Sequence, residues 1–128
     1  MQSITIELPR VPKSLTKNGR RRSHWEVQRR ETQEMLDDAR ILILSELVRD
    51  DTMPWQSADI HVHQRWSNNP LDYDGLASGV APVVDAFTLC GVIEDDSPRF
   101  IRSYTMSVEK VAKRAQSAVV VTVTKVNT

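Results

Sequence analysis

The chain has 128 residues, with 17 Lys+Arg against 17 Asp+Glu, 40% apolar and 5% aromatic residues, a length and balance that fit one compact domain over residues 1–128. Its longest wholly apolar runs, such as Ile41 to Leu44, fall far short of the roughly 20 residues that span a bilayer, and the N-terminus lacks a signal-peptide stretch, so a soluble, unexported, cytoplasmic chain is expected. The lone cysteine, Cys90, excludes an internal disulfide and a Cys-based zinc framework, and its apolar neighbours predict a small core residue in a reducing compartment.

Ile4-Thr5-Ile6-Glu7-Leu8 alternates apolar with polar and predicts a half-buried strand ended by Pro9 and Pro12. Lys13 to Arg22 is polar, contains Asn18-Gly19 and reads as a loop. Ser23-His24-Trp25-Glu26 has the spacing of a capping box and predicts a helix start with Ser23 as the cap. Trp25, Thr32, Met35, Leu36, Ala39, Leu42, Ile43 and Leu47 then form one helical face that ends near Asp50 and is closed off by Pro54. Ala58 to Trp66 alternates again and predicts a strand, followed by a turn at Ser67-Asn68-Asn69-Pro70. Asp74 is the expected cap of a second helix running to about Cys90, where Gly91 supplies a left-handed terminus. Pro82 lies inside that span and predicts either a kink or a start at Pro82 itself. Two strands follow, near Phe100 to Lys110 and Ala118 to Val126, joined by a basic connection. The expected fold is α+β, a small mixed sheet of about four strands covered by two helices.

The neutral total conceals segregated charge. Arg10 to Arg30 holds eight bases and one acid, Glu26. The bases are a candidate phosphate-binding arm, in which Lys13, Lys17, Arg20, Arg21, Arg22, Arg29 and Arg30 are the candidate DNA contacts. Glu31 to Asp51 carries seven acids and two bases at helical spacing, a solvated helix face. Asn68 to Pro98 carries six acids and no base, and from Arg99 onward bases lead six to one. Contacts to phosphate carry no sequence information, so structure-selective binding is the expected mode. Trp25, close to Arg20-Arg21-Arg22, has two readings: a stacking surface for an unpaired base, or a core contact in the first helical turn. His24 beside the capping serine is a weaker candidate for a phosphate contact.

Asp72-Tyr73-Asp74 sits at a strand-to-helix junction, with Asp95-Asp96 on a turn beyond the far end of the same helix. In extended backbone, residues two apart point the same way, so Asp72 and Asp74 can face one ligand. A return of the chain after Gly91 would add Asp96. Three converging carboxylates repel one another unless a cation neutralises them, and hard oxygen donors suit Mg²⁺ or Mn²⁺. Such ions bind phosphates and activate water, the chemistry of a phosphodiesterase acting on a polyanion. A purely structural reading, with Asp74 as a helix cap and Asp95-Asp96 as turn formers, stands beside it. Asp85, about three helical turns beyond Asp74, suits a helix-surface or supporting role. His61 and His63, with Asp59, line one face of the second strand, a pattern that transition metals use and that exposed strands also carry without one.

Asp72-Tyr73-Asp74-Gly75-Leu76, then Asp85-Ala86-Phe87, then Gly91-Val92-Ile93-Glu94-Asp95-Asp96 resembles the RusA-type Holliday-junction resolvases of bacteriophages and prophages. Their pattern is Asp-x-Asp-Asn, an Asp-Ala-Leu helix, then Gly and Asp-Asp. The resemblance covers nearly the whole chain. It implies a RusA-like fold and a homodimeric, Mg²⁺-dependent endonuclease, with Mn²⁺ as a substitute, that cuts four-way DNA junctions symmetrically in recombination and repair. It puts Asp72, Asp74 and Asp96 on the family's catalytic, metal-binding aspartates, with Asp95 adjacent. Gly75 stands where the family has Asn. The family's helix lysine falls on Ser78 counting forward from Asp74, or on Ala81 counting back from Asp85, and neither is a base. The charge that would hold the scissile phosphate has to come from elsewhere, with the arm as the candidate. A catalytically weak or inactive DNA-binding module of the same fold, and a nuclease preferring flaps or forks, are the alternatives.

Overall fold

The structure is a computed structural model that describes residues 2–9, 11, 15 and 24–127. Four strands and two long helices follow one another as β1 (Ser3–Leu8), α1 (Trp25–Glu46), β2 (Ala58–Trp66), α2 (Tyr73–Leu89), β3 (Ile101–Lys110) and β4 (Ala118–Lys125), with a short 3-10 helix at Arg114–Gln116 before β4. The sheet order is β1-β4-β2-β3. β4 runs antiparallel to both neighbours, whereas β2 and β3 are parallel, as a crossover through α2 requires. This is the α+β architecture expected from the element order.

Alternation sorts the sheet into two faces. Ile4, Ile6 and Leu8 of β1, Ile60 and Val62 of β2, and Val119, Val121 and Val123 of β4 are buried toward the helices. They meet Met35, Ala39 and Ile43 of α1 and Leu76, Val80, Val83 and Phe87 of α2 in one core. Each such side chain removed from water contributes roughly 1.5–3 kcal/mol before entropy is counted. Cys90 is a buried free thiol at the end of α2, pushed up in pKa chiefly by burial, as a core residue is. The opposite face of the sheet carries Asp59, His61, His63 and Arg65 of β2 beside Ser103, Thr105, Ser107 and Glu109 of β3. No helix among the described residues is long and apolar enough to cross a membrane.

Several local expectations are corrected. The cap of α1 is His24, whose Nδ1 accepts from the Glu26 amide at 3.2 Å; Ser23 lies outside the described residues. α1 stops at Glu46, not near Asp50, because Leu47 is already extended. Trp25 is 60% exposed and does not join the core, to which α1 contributes its buried residues only from Met35 onward. α2 neither begins at Pro82 nor breaks there. It starts at Tyr73 and carries buried Pro82 in its middle, so core packing on both sides of the proline outweighs the hydrogen bond it cannot donate. Its cap is Asp72 instead of Asp74, with the Asp72 Oδ1 accepting from the Gly75 amide at 2.7 Å. At the other end Gly91 has φ +75°, the left-handed conformation expected of it. There Arg49, just past α1, donates to the Cys90 carbonyl at 2.8 Å and satisfies a terminal acceptor of α2.

Candidate functional site

The segment bearing Asp72 and Asp74 is held from below by a residue that pattern reading passes over. Gln64 occupies an inward position of β2 and is fully buried. Its Nε2 donates to the Leu71 carbonyl at 2.8 Å, and its Oε1 accepts from the Leu71 amide at 3.3 Å. Both polar groups of a connecting residue are thereby satisfied inside the protein, which fixes where the chain turns into α2. The legible signal was a lone amide among Ile60, Val62 and Trp66 on the buried side of an alternating strand.

From that support Asp72 and Asp74 project at the exposed start of α2. Because Asp72 is extended and Asp74 already helical, strand alternation does not align their side chains as the sequence reading supposed. The Asp72 carboxylate closes tightly over the helix terminus, and a Cβ at position 75 would stand 2.9 Å from its Oδ1. That contact gives Gly75 a reason to stand where the resolvase pattern has Asn. Two carboxylates at a helix N-terminus are also favoured by the helix dipole.

Asp95 and Asp96 lie on an exposed turn after α2, and their electrostatic partner is Asp85. Burial first, then the like charges of Asp96 and Asp95, push the Asp85 carboxyl above its ordinary range. Burial and the charge of Asp96 likewise raise the Tyr104 phenol, on the adjoining edge strand β3. Asp85 is eleven residues along α2 from Asp74, a rise of about 16 Å. The acids thus divide between the two ends of α2. Among the described residues no three His, Cys, Asp or Glu side chains stand close enough to hold an ion, so Asp72, Asp74 and Asp96 do not form such a group within this one chain. Asp72 and Asp74 are oxygen donors of the kind Mg²⁺ takes, but they are two ligands and not the expected three.

Two described residues of the basic segment show where it is tied. Val11 and Leu15 are buried in the core, against α2. The Ser78 hydroxyl donates to the Leu15 carbonyl at 3.3 Å, and Gly79 is so close to Val11 that a Cβ there would lie 2.4 Å from Val11 Cγ1. This anchorage is one helical turn past Asp74. Position 78, one of the two on which the family's lysine falls, here fastens the segment that carries the bases. Lys13, Lys17, Arg20, Arg21 and Arg22 lie outside the described residues. Arg29 and Arg30 are exposed on α1, with Arg30 3.9 Å from Glu34, and share a shallow groove with Trp25. Glu26 and Glu34 line the same groove, so an open indole stands beside two guanidinium groups whose charge is balanced by two carboxylates.

Neither models of known protein families nor curated proteins match this chain.

Proposed function

We propose that this chain is a magnesium-dependent, structure-selective endodeoxyribonuclease that resolves four-way DNA junctions as a homodimer. The observation that carries the reading is the anchorage of the basic segment on α2 through Leu15 and Val11, one turn from exposed Asp72 and Asp74. A polyanion gripped by that segment lies beside carboxylates able to take a hard cation. Asp72 and Asp74 are the metal-binding pair, and phosphate oxygens and water complete the ion's shell. A bound divalent ion supplies neutralisation of the phosphate and an activated water. The chain's own residues do the rest. Arg29 and Arg30, with Lys13, Lys17 and Arg20 to Arg22, hold phosphates; Trp25 stacks on an unpaired base at the branch; Gln64 keeps the Asp72 segment in place. A two-fold dimer matches the symmetry of a four-way junction and directs paired nicks to opposed strands.

The test is incubation with a labelled four-way junction and Mg²⁺, which should give paired nicks with wild type, while Asp74→Asn binds but does not cut. Equal cleavage by the variant overturns the assignment. A second reading is a DNA-binding module of the same fold without chemistry. Ser78 and Ala81 in the lysine positions favour it, as does the division of the acids along α2. It predicts junction binding indifferent to Mg²⁺ and to substitution of Asp72 or Asp74, with no product. A panel of flaps and forks separates a junction enzyme from one that prefers those substrates.

A further inference from the structure

The open face of the sheet, opposite the helices, carries a hydrogen-bonded row that the nuclease reading leaves unused. His61 Nδ1 lies 2.6 Å from Thr105 Oγ1, and its Nε2 lies 2.8 Å from Ser107 Oγ. His63 Nδ1 lies 2.6 Å from the same Ser107 Oγ, and its Nε2 lies 3.0 Å from Glu109 Oε1. One nitrogen of each imidazole is therefore held by an outer partner, while the other two converge on a single hydroxyl oxygen. The ionised Glu109 only accepts, so His63 carries its proton on Nε2 and offers a lone pair at Nδ1. Thr105 accepts as readily as it donates, so His61 is free to carry its proton on Nδ1 and offer a lone pair at Nε2. In that tautomer Ser107, with one proton, cannot satisfy both lone pairs, and a cation at that point can; in the other, His61 Nε2 donates to Ser107 Oγ and the row closes on itself without an ion.

We infer that His61 Nε2 and His63 Nδ1 form a binding site for a divalent first-row transition ion, with Ser107 Oγ or water completing its shell. Three observations support this. Imidazole nitrogen suits Zn²⁺, Ni²⁺ and Cu²⁺ and does not suit Mg²⁺, so the site is chemically distinct from the carboxylates of α2. Glu109 and Thr105 act on the two rings as outer partners act in metal centres, setting the tautomer and the ring orientation. The neighbouring cations are already neutralised: Arg65 is paired with Glu7, and Arg102 donates to both oxygens of Asp59, at 3.1 Å and 2.5 Å. Asp59, a possible third ligand on sequence grounds, is thereby committed elsewhere. The parallel register that sets His61 opposite Thr105 and His63 opposite Ser107 is what brings these groups together.

Titration of the full chain with Zn²⁺, followed by calorimetry in buffer containing excess Mg²⁺, should show one ion bound per chain. His61→Ala or His63→Ala should abolish that binding, and Glu109→Gln should weaken it about tenfold or more. Circular dichroism establishes that each variant is folded, as expected for side chains on an open face. Cu²⁺ bound to wild type should give an electron paramagnetic resonance spectrum split by two imidazole nitrogens, a readout that needs no variant. No binding by folded wild type, binding that survives in the His61→Ala/His63→Ala double variant, or a spectrum without nitrogen coupling overturns the inference. None of these measurements reads DNA cleavage, so the nuclease proposal and this one fail independently.

Discussion

Replacing Gly79 with Ala tests the packing on which the basic segment's attachment rests. On helix propensity alone the substitution should stabilise α2 by about 1 kcal/mol. The added Cβ would stand 2.4 Å from Val11 Cγ1 and 3.2 Å from Val11 Cγ2. Carbon atoms in contact sit at about 3.5–4.0 Å, so the two elements must separate by roughly 1 Å or more. Valine is stiff at χ1, and Val11 is buried, so its side chain cannot rotate out of the way. Overpacking of this kind costs about 1–3 kcal/mol, and the closeness of the contact argues for the upper part of that range. A net loss of about 1–2 kcal/mol follows, or a fall of about 3–8 °C in Tm for a domain of this size. Urea unfolding of Gly79→Ala, Val11→Ala and the double variant completes the measurement. The double variant should recover about 1–2 kcal/mol relative to the sum of the single losses. A Gly79→Ala protein more stable than wild type, or strict additivity in the cycle, refutes the contact.

Gln64→Leu should cost about 2–3 kcal/mol in urea unfolding, because it leaves the Leu71 amide and carbonyl without their buried partner; a loss no larger than that of a surface substitution refutes the supporting role. Asp72→Ala removes the acceptor for the Gly75 amide and should cost about 1 kcal/mol, whereas Asp72→Asn keeps an oxygen there and most of the stability. On the nuclease proposal both variants lose cleavage, so Asp72→Asn dissects chemistry from capping, and full activity in it counts against that proposal. For Asp85 the sign runs opposite to that of a salt-bridged carboxylate. Burial, then Asp96 and Asp95, raise its folded pKa above 3.8, so the folded chain binds more protons than the unfolded chain just above that pH. Stability is lost as pH rises through the window from the unfolded to the folded pKa. Asp85→Asn should therefore match wild type below pH 3.8 and exceed it at neutral pH, by a small margin that salt reduces because the side chain is exposed. Equal urea midpoints for the two proteins at neutral pH would dispose of this account.

Where a residue's partners lie within its own element, the amino-acid order was enough. The alternation of β1 and β2, the apolar face of α1 from Met35 to Ile43, and the glycine ending α2 are consequences of period and backbone freedom, and they appear as read. One-residue questions at helix starts went the other way. Ser23 and Asp74 both had acceptable cap spacing, yet His24 and Asp72 took the role, because a cap is chosen by where the incoming chain meets the first turn. Pro82 looked like a boundary for a related reason. Local rules count the hydrogen bond it forfeits and cannot see the core on either side of it.

The candidate site divides along the same line. Composition and order alone determined an α+β domain with a base-free run of acids around α2 and a base-rich run from Arg10 to Arg30, since charge segregation and periodicity are properties of the chain itself. Tertiary structure decided which groups act on one another: the charge of Asp96 on Asp85 and Tyr104, and the hydrogen bonds of Ser78 to Leu15, Gln64 to Leu71, and both histidines of β2 to Ser107. Every one of these pairings joins residues on different elements or across a turn, and strand register, helix rotation and the path of a connection set them. Those are fixed by packing of the whole core at once, which no window of the sequence contains.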